Sequence, residues 1–224
     1  FIKEHILVIR RPDALKEKIN TFKEEILKNP NIESVTNSNS IPGRDFLTST
    51  FIFEEDSVRK NLLMNQLFVN HDFREAFKLT MVEGRFFSPA LPSDANACVI
   101  NQEAAREIGR KNIVGSYLVA PALKGNLGDK LKVIGVVKDF HFESVDKKID
   151  PLIITLMPGN WEGYLDVRIS SNEIDKSIEF LKNTWAKYTS DYPFQYFFLD
   201  QDFDKNYRSV TSMARILSTF AVLS

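Results

Sequence analysis

The chain has 224 residues, 43% of them hydrophobic, which is enough for one large domain or two small ones, each with its own core. Its 29 basic and 30 acidic residues leave a formal charge of −1, which argues against nucleic-acid binding, because that rests on surplus Lys and Arg to neutralise phosphates. A single cysteine, Cys98, excludes an intrachain disulfide and a CxxC zinc site, and its apolar setting Ala97-Cys98-Val99-Ile100 reads as a small buried hydrophobe.

Phe1 follows no initiator methionine and no basic leader, so the chain is expected to be a piece of a longer one. Ile6-Leu7-Val8-Ile9 reads as a buried strand. Pro12 and Asp13 then open a helix, with Leu15, Ile19, Phe22 and Ile26 on one face and Asn29-Pro30 ending it. Ile32 to Thr36 is a second strand, which completes a β-α-β opening. Ile41-Pro42-Gly43 is a turn. Phe46 to Glu55 and Leu62 to Asn70 are extended and fit a hairpin, although Leu62-Leu63-Met64 also suits a helix. Asp72 to Phe77 is a short helix, and Leu79 to Arg85 is strand-like.

Ser88 to Ala95 is a loop and Ala97 to Ile100 a strand. Asn101 caps a helix over Gln102 to Ile108, and Gly109 stands where a left-handed C-terminal glycine belongs. Gly115 to Ala120 and Lys130 to Lys138 are strands flanking the loop Pro121 to Gly128. Pro151 to Met157 and Tyr164 to Ile169 are strands joined by a turn at Pro158-Gly159. Asn172 caps a helix with Ile174, Ile178, Leu181, Trp185 and Tyr188 on one face, and Phe194 to Leu199 is the last strand. The apolar run Ile216 to Ser224 is too short to span a bilayer, which needs about 20 residues. It suits either the start of a membrane helix or an amphipathic C-terminal helix. The fold class expected is α+β: an α/β-like outer layer with two helices on a mixed sheet, plus an inserted β-rich subdomain.

Catalytic signatures are thin. Asp139-Phe140-His141 places a carboxylate and an imidazole two residues apart, but His5 and His71 form no ligand-spaced cluster with it. The alternative is a strand-end histidine with a local hydrogen bond. Gly125-Asn126-Leu127-Gly128 lacks the ending of a phosphate loop, and Ser38, Ser40 and Ser49 sit in no G-x-S-x-G elbow. Glu54-Glu55-Asp56 reads as a solvated loop tip. Phe86, Phe87, Phe140 and Phe142 read as core aromatics. Adjacent strand residues face opposite ways, so either Phe86 or Phe87 is expected to be exposed or to cover the second subdomain. No catalytic, cofactor-binding or metal-binding residue is assigned.

Taken in order, several motifs resemble one family. They are Asn29-Pro30-Asn31-Ile32-Glu33-Ser34-Val35, Ile41-Pro42-Gly43, Glu83-Gly84-Arg85-Phe86-Phe87-Ser88 and Val99-Ile100-Asn101-Gln102-Glu103-Ala104-Ala105. Ile113-Val114-Gly115, Ile134 through Phe142 and Ile149-Asp150-Pro151-Leu152 follow, and Trp185, Pro193-Phe194 and Phe203-Asp204-x-x-Tyr207 close the series. The set resembles the MacB-like periplasmic core domain of FtsX-family ABC transporter permeases.

The resemblance implies a domain outside the bacterial cytoplasmic membrane, on its periplasmic or extracellular side, between two transmembrane helices. It implies a porter-like α/β subdomain over residues 1–78 and 145–207, an inserted β-rich subdomain over 79–144, and a truncated transmembrane or juxtamembrane helix from 208 to 224. The implied role is non-catalytic and cofactor-free. Movement of membrane helices, driven by ATP in the cytoplasm, is coupled to export or extraction of a substrate or to an outer partner. The implied partners are membrane helices of the same chain, a cytoplasmic ATPase domain or subunit, a second permease copy or paralogue, and a periplasmic or outer-membrane protein, with no nucleic acid. Two other readings stay open. One is a membrane-tethered ligand-binding or sensor domain, which needs an enclosed pocket. The other is a hydrolase with a dispersed site, which needs His141 or His71 beside a nucleophile.

Overall fold

The protein, seen here as a computed structural model, is described over residues 5–42, 46–55, 58–121, 128–140, 148–157 and 163–200. Its strands are β1 (Ile6–Ile9), β2 (Ile32–Ser38), β3 (Leu47–Glu55), β4 (Val58–Val69), β5 (Met81–Gly84), β6 (Ala97–Asn101), β7 (Tyr117–Val119), β8 (Lys130–Val137), β9 (Leu152–Leu156), β10 (Tyr164–Ile169) and β11 (Tyr196–Phe198). The α-helices are α1 (Ile19–Ile26), α2 (Phe73–Ala76), α3 (Gln102–Ile108) and α4 (Ile174–Tyr188), with 3-10 segments at Pro12–Lys18 and Pro92–Asn96. The class is α+β, as expected.

The strands join into one sheet with two parts. The outer layer runs β11-β1-β10-β2, antiparallel throughout. It meets the rest where Ser38 of β2 stands opposite Val69 of β4. Beyond that junction six strands close on themselves. β4 pairs with β3, β3 with β7, β7 with β8, β8 with β6, β6 with β9, and β9 returns to β4 in parallel. Closure leaves these strands no free edge in the ring, and β5 runs along the C-terminal half of β8.

Alternation assigns the faces. In β10, Leu165, Val167 and Ile169 point to one side, where α1 and α4 supply Phe22, Ile26, Leu181 and Trp185. In β1 the neighbours Leu7 and Ile9 face the same helices, while Ile6 and Val8 face the opposite core. That second core holds Phe73, Phe77, Phe86, Phe87, Val99, Ile154 and Phe140, and so lies between the outer layer and the ring. A third core fills the ring with Phe51, Phe53, Met64, Ile100, Leu118 and Val133, together with Ala104 and Ile108 of α3.

Several expectations need amendment. The first helix is not continuous: Pro12–Lys18 is 3-10, and Lys16 takes φ 48, ψ −133 before α1 starts. The break still buries Leu15 with Phe22 and Ile26, but Ile19 lies only partly inside. The residue that caps α4 is Glu173, in the left-handed region at φ 56, and not Asn172. Leu62-Leu63-Met64 is strand, and β3 and β4 form the hairpin. Phe86 and Phe87 are both buried and share one core, because β5 ends at Gly84 and the strand alternation no longer applies to them. Gly43, Asp56, residues 122–127, His141, Phe142, the Pro158-Gly159 turn and everything from residue 201 onward lie outside the described residues.

The helical side of the outer layer is held by an aromatic contact and a polar clasp. The Phe22 ring meets Trp185 edge-on at 5.8 Å and Tyr188 at 5.5 Å. Trp185 Nε1 donates to the Tyr192 carbonyl at 2.9 Å, so its one polar atom is satisfied. Glu25 accepts from Tyr188 Oη at 2.5 Å and from Lys187 Nζ at 3.0 Å, which ties α1 to α4. Phe22→Ala is expected to destabilise the chain by about 3–5 kcal/mol, because it opens a cavity under both helices. Urea denaturation followed by tryptophan fluorescence measures this.

Candidate functional site: a polar seam between the layers

The described residues that a sequence reader would pick for chemistry are used as structural ties. Asn101, fully buried, is the clearest. Its Oδ1 accepts from Ala104 N, capping α3, and from Leu152 N, the first residue of β9, both at 3.0 Å. Its Nδ2 donates to the Asp150 carbonyl at 3.0 Å. One side chain therefore fixes the α3 terminus, the end of β6 and the start of β9. Gly109 ends the same helix at φ 74, as its position predicts.

Asp139 grips α3 from β8's C-terminal end. Its Oδ1 accepts from Glu103 N at 2.9 Å and its Oδ2 from Arg106 at 2.6 Å, while its own N–H donates to Gln102 Oε1 at 3.2 Å. Arg106 also pairs with Glu103, which takes Lys148 at 3.0 Å. The carboxylate of the Asp139-Phe140-His141 motif is thus spent on a helix cap, and Phe140 is core.

The Glu83-Gly84-Arg85-Phe86-Phe87-Ser88 motif has a comparable explanation. Gly84 sits at φ 67, and a Cβ there would stand 2.3 Å from the Ile134 carbonyl oxygen. Arg85 forks onto Asp94 with bonds of 2.6 and 2.7 Å. Asp94 also accepts from Ser88 N at 2.9 Å and is only 1% exposed. The Arg85 hydrogen bonds hold its carboxyl below the usual range despite burial. Asp94 has no signal in the sequence, where Ser88 to Ala95 reads as plain loop; the 3-10 turn at Pro92–Asn96 turns it inward.

Asp166 has no signal in the sequence either. It lies fully buried in β10, on the face toward α2 and the second core. Ser38 Oγ donates to its Oδ2 at 2.7 Å. Among the described residues its Oδ1 has no hydrogen-bond partner, and neither does the hydroxyl of Thr36, which stands directly opposite across the strand pair. Burial pushes the Asp166 carboxyl up to about 7, although the Ser38 bond pulls the other way. Next along the same face, buried Arg168 donates through Nε to the Ala76 carbonyl of α2 at 2.5 Å. Two charged residues alternating with Leu165, Val167 and Ile169 look like a solvated face in sequence; α2 covers that face instead.

Among the described residues these groups serve one another or the backbone. Ser38 serves Asp166, and Ser49 accepts from Gln66 Nε2 at 2.6 Å. Cys98 is fully buried and its thiol is pushed up by desolvation, away from the reactive thiolate. Among the described residues, no three His, Cys, Asp or Glu side chains are grouped to hold a metal ion. No described helix is long and apolar enough to cross a membrane.

The seam makes stability depend on pH. Asp166 titrates near 4 unfolded and near 7 folded, so the folded chain holds its proton more tightly between those values. Its contribution is whole below about pH 4, is lost as pH rises toward 7, and is flat above; the full swing is up to about 4 kcal/mol. Asp166→Asn is expected to remove this slope. Urea unfolding of both forms at several pH values in that window gives the difference, and other carboxylates cancel in it.

Comparison with known proteins agrees with this architecture. The periplasmic region of MacB from Actinobacillus actinomycetemcomitans superposes with a TM-score of 0.61 at 15% identity, covering 89% of this chain and 91% of that one. A permease-protein domain from Porphyromonas gingivalis gives 0.55 at 18% identity, covering 84% and 86%. The extracellular domain of the noncanonic ABC-type transporter YknZ from Gram-positive bacteria gives 0.52 at 14% identity, covering 78% and 87%. No curated protein sequence matches the chain. The family model of the MacB-like periplasmic core domain matches residues 5–181, and the chain belongs to that family of ABC transporter permease domains.

Proposed function

We propose that this domain is a non-catalytic, extracytoplasmic body that couples ATP-driven movement of membrane helices to export or extraction of a substrate, or to an outer partner. The observation that carries the reading, beyond family membership, is where the described chain enters and leaves. β1 and β11 are antiparallel neighbours, with Leu7 opposite Phe198. The chain therefore comes in at Ile6 and goes out past Phe198 at one end of one sheet. Two membrane helices joined there would move a single rigid surface.

The packing supports a stiff body. The outer layer and the ring belong to one sheet with a core between them, and buried Asn101 and Arg168 are tied to backbone. Within this proposal, residues 1–78 and 145–207 form the porter-like subdomain and 79–144 the insert. Strands β3, β4 and β9 of the flanking segments complete the insert's ring. The proposed partners are membrane helices of the same chain, a cytoplasmic ATPase, a second permease copy or paralogue, and an outer protein.

Placement is tested in the full-length permease carrying Lys187→Cys, at an exposed position of α4, with buried Cys98 replaced by Ala. A membrane-impermeant maleimide is expected to label it in intact spheroplasts; labelling only after permeabilisation would overturn the placement. Stiffness is tested at the layer junction. Ser38 and Val69 form a pair flanked by the bonds Asn39 N to Phe68 O and Asn70 N to Asn37 O, the close non-hydrogen-bonded geometry that suits a disulfide. Ser38→Cys/Val69→Cys is expected to support the same ATP turnover of the complex, within about twofold, oxidised or reduced. A reversible loss on oxidation, larger than the tenfold that 1.4 kcal/mol represents, would show that the layers must part.

A further inference from the structure

At one end of the outer layer four strands terminate together. β1 stops at Ile9 and β2 at Ser38, while β10 starts at Tyr164 and β11 at Tyr196. Between their ends lies an open cleft of about 470 Å³, lined by Arg10, Asn39, Gly163, Tyr164, Gln195 and the Arg11–Asp13 pair. Gly163 lets the backbone pass close, because a Cβ there would stand 2.2 Å from the Ser38 carbonyl oxygen.

The lining is unbalanced toward donors. Arg11 is already matched, donating to Asp13 at 2.9 Å. Arg10 is not. Its guanidinium lies 4.6 Å from the centre of the Phe197 ring, and no described carboxylate lies within ion-pair distance. Its backbone N–H is anchored to the Gln195 carbonyl at 2.9 Å, and the Phe197 ring meets Tyr164 edge-on, so the charge is held on a fixed aromatic support. Asn39 uses its Oδ1 to accept from Phe68 N at 2.8 Å, which leaves its amide N–H₂ for the cleft. Among the described lining residues the one carboxylate, that of Asp13, is occupied by Arg11.

From this arrangement we infer that the cleft is a carboxylate-binding site, in which the Arg10 fork takes both oxygens of the ligand and the Asn39 and Gln195 side-chain amides donate beside it. A guanidinium stacked on an aromatic face offers parallel N–H groups matched to a planar carboxylate. The ligand is a small free carboxylic acid or an acidic side chain of an extended protein segment; the chemistry is the same. This inference is independent of the transport reading, because it rests on the cleft alone.

The test titrates the 224-residue chain with sodium succinate, with a blocked oligo-glutamate peptide, and with sodium chloride at matched ionic strength, following the Arg10 Nε–Hε resonance. A saturable shift is expected with one or both carboxylates, with Kd on the order of millimolar or tighter, and none with chloride. Saturation by succinate identifies a small-acid site, and saturation by the peptide alone identifies a docking point for a protein segment. Arg10→Ala should weaken binding about tenfold or more, the loss expected of one bidentate ion pair, while Arg59→Ala on the ring hairpin should not. Arg10→Lys keeps the charge and the fold but loses the fork, and should still weaken binding about threefold. Shifts that stay linear in both carboxylates, shifts matched by chloride, or undiminished binding in both Arg10 variants would overturn the inference.

Discussion

Everything in this domain hangs on β4. It is the longest strand, Val58–Val69, and it belongs to both parts of the sheet. Along most of one edge it is zipped to β3, and at Val69 that edge passes to β2 and the outer layer. Its other edge takes β9 in parallel and closes the ring. A strand that carries three neighbours cannot slip register without turning Leu62 and Met64 out of one core and Leu67 and Val69 out of another.

Polar ties then remove what freedom remains. Asn101, Asp139 and the Arg85–Asp94 fork each fasten loops or helix ends to strands around the interlayer core. Each is a buried or half-buried group whose loss would leave backbone N–H groups unmatched. The motifs that looked most like candidate chemistry are therefore among the groups that fix the shape. The proposed coupling role calls for that property more than for a reactive group.

Much of this was legible in the sequence. Asn101 and Gly109 bracket α3 because their local chemistry decides a helix end without outside help. β10 and α4 were legible from their apolar periods. Lys16 was not, because nothing in its neighbours marks a positive φ; the break falls between Leu15 and Phe22, which lie in one core. Asp166 and Asp94 were hidden for a related reason: a carboxylate carries no local mark of burial. What buries them is α2 in one case and a 3-10 turn in the other, each set by contacts distant in sequence. Ring closure is likewise unreadable locally, since β4 meets β9 across more than eighty residues.

The neighbouring positions of β1 and β11 have a mechanical consequence. Strands loaded along their length resist in shear, with all their hydrogen bonds strained together. Strands pulled apart from one end yield bond by bond, like a zipper. Ile6 and Phe198 leave the sheet side by side, so forces that spread these two exits would peel the three-residue β11 first. Forces that move both ends together, toward or away from the sheet, would load the long β1–β10–β2 ladder in shear. Under the proposed coupling role, such a sheet would follow a push or pull common to both exits and give way when they separate.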